Sequence, residues 1–335
     1  MTQTEPSAER PISDTDGPGA PDGSLGHVLV SSMRDEGPYV LEYVAHHRAI
    51  GFDRLFIASN DCQDGTDLLL DALDQVGAIT HFHNRVRPGD KPQHAAYARM
   101  RRLFGLDRAE WLMVLDADEF LHVSLGAGRV QDLTAAAAPG TDIIMLHPLT
   151  FGSGDDPDWK PGLVTDQFTR RVPVRHRANR PVKTLTRGLG RFAEIHNHSV
   201  MGYRGLEDLV VMRADRSTFA IPPRSPLWQH LRNVPIDDVR HEIAHYNHYA
   251  VKSLAAFCLR GARGRGAAPL GQQNDRHTDA YFDRIANARI ADRRFQDRHG
   301  AALRAEYDRL LDLPGVAEAQ AETERRYRAM IDALV

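Results

Sequence analysis

The 335-residue chain has only two cysteines, Cys62 and Cys258. That is too few for a disulfide framework or a thiolate zinc site, and it fits a reducing compartment. No apolar run reaches the ~18 residues that a membrane-spanning helix needs. The first residues have neither the positive start nor the apolar core of an export signal. Together these absences lead to the expectation of a cytoplasmic protein with no transmembrane segment. Peripheral association with the inner face of a membrane stays open. Charge of one sign is lacking too: 42 basic against 45 acidic residues leave a formal net charge of −3. No general attraction to nucleic acid or to an anionic membrane is implied. Residues 1–25 hold almost no bulky apolar residue and are rich in Pro, Gly, Ser, Thr, Asp and Glu, the composition of a disordered tail. No internal repeat is visible.

The most informative stretch is Trp111-Leu112-Met113-Val114-Leu115-Asp116-Ala117-Asp118-Glu119-Phe120. An apolar β-type run ends in three carboxylates within four residues, which places Asp116, Asp118 and Glu119 at the carboxyl end of a buried strand. Ligands of open α/β sheets bind at that edge. Carboxylates so close repel one another unless a cation or a proton intervenes. A hard divalent metal that also holds phosphate oxygens answers the need, and points to an enzyme that handles a nucleotide diphosphate.

Strand and helix signals alternate before this stretch. Val28–Ser32 reads as a first strand, followed by a helix with Pro38 in its first turn and Gly51 at its end. Leu55–Ala58 and Ala78–Phe82 read as strands separated by a helix lined by Leu68, Leu69, Ala72, Leu73 and Val76, and a further helix covers about 93–106. Short polar loops between such elements imply βαβ units and a parallel sheet. Ile143–Leu146 reads as another strand. From 150 to 235 the pattern is irregular, with short strands expected around Gln167–Val174 and Val182–Leu185. From Ile243 the chain reads as helical, and 301–335 reads as amphipathic helix.

Several segments resemble the family 2-like glycosyltransferases in their order along the chain. They are Ser31-Ser32-Met33-Arg34-Asp35-Glu36-Gly37-Pro38, the following His46-His47-Arg48-Ala49-Ile50-Gly51-Phe52-Asp53, Ser59-Asn60-Asp61-Cys62-Gln63-Asp64-Gly65-Thr66, Asp116-Ala117-Asp118-Glu119-Phe120, Phe151-Gly152-Ser153-Gly154 and Asn247-His248-Tyr249-Ala250-Val251-Lys252-Ser253. The resemblance spans roughly 28–265 and departs from the subgroup at Asp155-Asp156. It implies a GT-A-like fold: a Rossmann-related, mostly parallel central sheet flanked by helices, here with a C-terminal helical extension. The expected division is a tail over 1–25, a donor-binding half over 26–150, an acceptor-side half over 151–265 and the extension over 266–335. The activity implied is transfer of a sugar from a nucleotide diphosphate to the hydroxyl of a glycan or another acceptor. UDP is the nucleotide by family analogy.

The candidate roles follow. Asp118 and Asp116 are ligands for Mn²⁺ or Mg²⁺, with Asp116 also a candidate for the sugar or ribose. His196 and His198 share a face if their segment is extended, and with His248 they compete to complete the metal site. Arg34 and Glu36 follow the first strand, where a nucleotide sits. Asn60, Asp61 and Asp64 offer the contact to uracil or ribose that the resemblance implies, Asp64 being favoured. Lys91 and Gln93 are further nucleotide contacts, and Lys183 and Lys252 are candidate diphosphate clamps. An inverting transfer needs a base; Asp155, Asp156 and Glu194 are the candidates, with Asp156 slightly ahead. Two other classes of function stay open: a metal-dependent hydrolase of a phosphate ester or nucleotide sugar, and a non-catalytic nucleotide-sugar-binding assembly partner.

Overall fold

The computed structural model describes residues 23–153, 157–262, 266–269, 272 and 277–334. The tail expected over 1–25 lies almost wholly outside these, as do Asp155 and Asp156. Among the described residues fifteen strands run in chain order: β1 His27–Met33, β2 Arg54–Ser59, β3 Thr80–His83, β4 Trp111–Val114, β5 Glu119–Val123, β6 Ile143–Leu146, β7 Pro148–Thr150, β8 Arg170–Arg171, β9 Lys183–Arg187, β10 Phe192–Ile195, β11 Val200–Tyr203, β12 Leu209–Arg213, β13 Thr218–Ile221, β14 Ala244–His248 and β15 Ile290–Ala291. The ten α-helices are α1 Gly37–Ala49, α2 Thr66–Gln75, α3 Pro92–Phe104, α4 Val130–Ala135, α5 Val164–Gln167, α6 Leu227–His230, α7 Leu254–Ala262, α8 Asp279–Ala286, α9 Arg294–Leu311 and α10 Val316–Asp332 among the described residues.

The main sheet has eight strands in the order β13-β12-β6-β9-β4-β1-β2-β3. The pairs β4–β1, β1–β2, β2–β3 and β12–β6 are parallel; β9 runs antiparallel to β4 and to β6, and β13 antiparallel to β12. The α/β, mostly parallel architecture expected from the alternation is therefore present.

Both faces are covered, which is why the strands read as unbroken apolar runs rather than alternating ones. Side chains of successive residues point to opposite faces. Leu29, Leu55, Ile57, Trp111 and Met113 join one core with residues of α1, α2, α9 and α10. Val28, Val30, Phe56, Leu112 and Val114 join a second core with α3 and the β10–β11 hairpin. The C-terminal helices complete the first core: Phe295, Leu303, Leu310, Val316 and Tyr327 are all buried in it. Helix α10 comes so close to the start of α1 that a Cβ on Gly37 would stand 2.7 Å from the Thr323 side chain.

Two sequence expectations are corrected. The stretch from Ile243 begins as a strand, not a helix. β14 is hydrogen-bonded antiparallel to β5 on one side and parallel to β7 on the other, in a separate three-stranded sheet. Two flanking ladders outweigh the weak local preference of Ala-His-Tyr-Asn-His. Of the strand expected over Gln167–Val174, only Arg170–Arg171 pairs, with Ile290–Ala291. No helix of the described residues is long and apolar enough to cross a membrane.

Candidate active site

Strand β4 delivers its apolar run to the carboxyl edge of the sheet. The chain then turns through Asp116 to Asp118 and returns as β5. The Asp116 N–H donates to Glu119 Oε2 at 2.9 Å, and the Glu119 N–H donates to the Asp116 carbonyl at 3.0 Å. This reciprocal clamp fixes the Glu119 side chain and the turn that carries Asp116. The Asp118 carbonyl is held by the Tyr249 N–H at 2.9 Å, just past the end of β14.

The acids are ringed by cations from distant parts of the chain. The antiparallel β9 carries Lys183 to the acids with its side chain only 1% exposed; Nζ stands 2.8 Å from Glu119 Oε2 and 3.1 Å from Asp116 Oδ2. It also donates to the Asn197 carbonyl at 2.7 Å. Burial acts to strip Lys183 of its proton, but Asp116 and then Glu119 outweigh it and hold the ammonium charged. Gln93 Nε2 donates to the other Asp116 oxygen at 2.9 Å. Arg260, from α7, donates to Asp118 Oδ2, and His248 Nε2 stands 3.5 Å from the same oxygen. Burial pushes the Asp118 carboxyl up, yet Arg260 and then His248 hold it well below the usual carboxylate range. Lys252 Nζ stands 3.5 Å from Glu36 Oε2 and 4.2 Å from the centre of the Tyr39 ring.

From sequence, three crowded carboxylates call for a metal. In the structure Lys183 and Arg260 already meet that charge, so repulsion alone does not demand one. A different observation favours a ligand here: Asp118 Oδ1 is buried and has no hydrogen-bond partner among the described residues. Such an oxygen is costly unless something binds it. With Asp116 partly exposed and an imidazole beside Asp118, the donor set fits a divalent cation of the Mn²⁺ or Mg²⁺ type.

The expected metal ligands do not converge as three. Among the described residues, neither the acids nor the histidines here form a group of three ligand atoms within 4.8 Å. The reason is the hairpin turn between β10 and β11, where the His196 N–H closes onto the Ser199 carbonyl at 2.8 Å in place of the extended run expected. The His196 ring lies tilted against that of His94, centres 4.3 Å apart, and His198 Nδ1 lies 3.0 Å from the Val182 carbonyl. Burial first lowers both imidazoles to about 4. His248 alone of the three touches Asp118.

The two nucleotide-side loops lie against each other. Both oxygens of the buried Asp64 are engaged: Oδ2 accepts from the Gly37 N–H at 2.7 Å, and Oδ1 accepts from the N–H and hydroxyl of Thr66 at 2.9 and 2.6 Å. Thr66 Oγ1 in turn accepts from the Glu36 N–H at 2.8 Å. Asp64 is thus a clip between the loops, which leaves the exposed Asp61 as the accessible acid of the second loop, with the buried Asn60 beside it. Asn60 Nδ2 donates to Asp61 Oδ2 at 3.0 Å. Asp35, Asp61 and Lys252 all have left-handed φ, at +49°, +48° and +50°. Non-glycine residues held there cost energy and gather at ligand-binding sites. Arg34 Nε stands 3.4 Å from Asp35 Oδ2, and Lys91 is exposed just before α3. Glu194 is exposed on β10. Trp159 is buried against Tyr327 at 5.3 Å, a core contact.

Comparison with known proteins finds partial sequence matches. A glycosyltransferase family 92 protein of Ricinus communis is 32% identical over 155 residues, covering 45% of this chain and 27% of its own length. One from Oryza sativa subsp. japonica is 29% identical over 155 residues, 45% of this chain and 26% of its own. The chain therefore spans about a quarter of the curated relatives it matches. No protein-family model matches. Among solved structures, S. aureus TarS in complex with UDP overlays with a TM-score of 0.29 at 11% identity, over 41% of this chain and 38% of its own. TarS in complex with UDP-GlcNAc gives 0.31 at 10%, over 49% and 46%. Overlays of this quality carry no argument. The named relatives are glycosyltransferases, of family 92 rather than the family 2-like group that the motif order resembles.

Proposed function

We propose that the chain is a metal-dependent, inverting glycosyltransferase that moves a sugar from a UDP-sugar to an acceptor hydroxyl, in synthesis of a surface or exported glycan. The observation that carries this reading is Asp118: a buried carboxylate at the carboxyl edge of a mostly parallel sheet, with one oxygen on Arg260 and the other without a hydrogen-bond partner among the described residues. The sequence match to glycosyltransferases supports it.

Asp116, Asp118 and His248 would hold Mn²⁺ or Mg²⁺, with His198 the next candidate. When bound, the ion supplies positive charge to the leaving diphosphate. The chain's own residues do the rest. Lys252 and Arg260 are placed to meet the negative charge that develops as the sugar departs. Lys183 bridges Asp116 and Glu119 and holds both in place. Gln93 orients Asp116. The first loop, through Arg34 and Glu36, and the second, through Asn60 and Asp61, receive the nucleoside, with Asp64 holding the two loops in register. The base that takes the acceptor proton is Asp156, ahead of Asp155 and Glu194.

Calorimetric titration with UDP, GDP, ADP and CMP, with and without Mn²⁺, tests this. The expected result is UDP-selective binding that needs Mn²⁺ and is lost in Asp118→Asn, whose melting curve stays that of a folded protein. Nucleotide binding by Asp118→Asn equal to the native chain would overturn the assignment. Release of free sugar at the full rate without any acceptor would point instead to a hydrolase.

A further inference from the structure

The outer edge of the main sheet carries a second cluster of metal-type side chains, remote in strand order from β4. β3 is the terminal strand, with β2 and β1 between it and β4. Its sequence Thr80-His81-Phe82-His83 alternates. Phe82 packs on the second core, so His81 and His83 share the opposite face. There they meet Asp71 of α2. Asp71 Oδ1 lies 2.7 Å from His81 Nδ1 and 2.8 Å from His83 Nε2, and the three atoms all lie within 4.8 Å of one another. The two imidazole rings converge, their centres 4.3 Å apart.

We propose that Asp71, His81 and His83 form a transition-metal site, with Zn²⁺ the best-suited ion. Two imidazole nitrogens and one carboxylate oxygen make a borderline donor set that favours Zn²⁺ over Mg²⁺ or Ca²⁺, water completing a tetrahedron. Zinc bonds of about 2.0–2.1 Å set tetrahedral donors roughly 3.3 Å apart, so the cluster must open by roughly 0.5 Å from its hydrogen-bonded spacing. It is free to do so, since the side chains of His83 and Asp71 are 59% and 41% exposed. His81 is the fixed member. Its side chain is 1% exposed, and its other nitrogen, Nε2, stands 2.8 Å from Ser59 Oγ at the end of β2. An outer partner that orients the ring is the usual companion of a ligating histidine. A bound ion would tie α2 to an edge strand whose outer side has no neighbour in the sheet, which limits edge-to-edge pairing with other chains.

The full-length protein, stripped with a chelator, is titrated with Zn²⁺ by calorimetry, and Co²⁺ absorption is read in parallel. One saturable event is expected, together with a tetrahedral Co²⁺ spectrum and a higher melting temperature in Zn²⁺. His83→Ala and Asp71→Asn should abolish all three. Ser59→Ala should weaken binding by about 10–100-fold. Asp118→Asn should leave the event intact, which separates this site from the acid cluster. No saturable binding, or binding unchanged in His83→Ala, would overturn the proposal, as would its loss in Asp118→Asn. Because His83 is largely exposed, its replacement does not threaten the fold.

Discussion

Two regions of this molecule bury titratable groups at high density and solve the problem in opposite ways. At the carboxyl edge of the sheet, Lys183 and Arg260 are buried with the acids: Arg260 holds the Asp118 carboxyl well below the usual range, while burial, only partly offset by Lys183, pushes Glu119 up to about 7. On the α1 side, between α1, α9, β5 and β14, the histidines His46, His47, His122, His245 and His299 are buried with no acid as a first partner. They surround Phe120 and Phe295. Here charge is eliminated: burial lowers His47 and His122 to about 3 and His299 to about 4, and carries His46 and His245 well below their ordinary value. The neutral rings also do backbone work. His46 Nε2 lies 2.7 Å from the Leu121 carbonyl, and the Leu121 N–H reaches His47 Nε2 at 3.4 Å. One residue of β5, Leu121, thereby has its carbonyl met by an imidazole donor and its N–H by an imidazole acceptor. A charged edge can act on a ligand; a neutral histidine layer can only hold that edge in place. This is why the histidines of the layer, abundant as they are, fall outside the proposed site.

The largest effect should come from breaking the neutral layer with acid. A histidine whose folded pKa is depressed binds fewer protons when folded than when unfolded, so stability falls as pH drops below about 6.5 and continues to fall until the folded value is reached. For His47 and His122 that window runs down to about 3. Each costs about 2 kcal/mol at pH 5 relative to pH 7, and their sum threatens a fold whose total stability is of the order of 5–15 kcal/mol. Melting curves between pH 7.5 and 5 should show a steep loss, made shallower by His299→Phe. A flat profile across that range would show that the layer accepts protons while folded. The charged region should break next, with Lys183→Met. Removing one partner of a buried pair leaves the other uncompensated and costs about 3–5 kcal/mol. Chemical denaturation should report that loss, and adding Asp116→Asn should recover part of it. If Lys183→Met costs nothing, Asp116 and Glu119 are not ionised together in the fold.

The two regions also differ in how far they can be read from sequence. The carboxylates announce themselves because a local apolar run ends on them, and β1, β2 and β4 were legible for the same reason. Lys183 could be read only as a diphosphate clamp; its pairing with Asp116, and that of Arg260 with Asp118, could not, since the partners lie 67 and 142 residues apart. Both cations are delivered by elements whose placement no local pattern encodes: a strand inserted antiparallel between β4 and β6, and a helix that follows β14 and packs on α10. The neutral layer was less legible still. His245 and His248 read as part of one helical stretch, whereas β14 points His245 into the layer and His248 toward Asp118. Buried imidazoles and metal-ligating ones look alike in sequence; only their neighbours tell them apart.

The smallest of these effects concerns Asp64, which joins the two nucleotide-side loops and belongs to neither extreme. It is buried and carboxylate-like in its bonding, accepting three hydrogen bonds, yet no lysine or arginine is among the causes of its shift; burial raises it to about 6. Asp64→Asn keeps an oxygen for Thr66 but turns an amide toward the Gly37 N–H, so two donors face each other. Leaving that donor unsatisfied should cost about 1–3 kcal/mol. Because Gly37 begins α1 and Glu36 precedes it, the displaced loop should also weaken UDP affinity while the Mn²⁺ requirement persists. If Asp64 instead contacts the nucleotide directly, the same substitution will weaken UDP binding with no change in the melting temperature of the free protein.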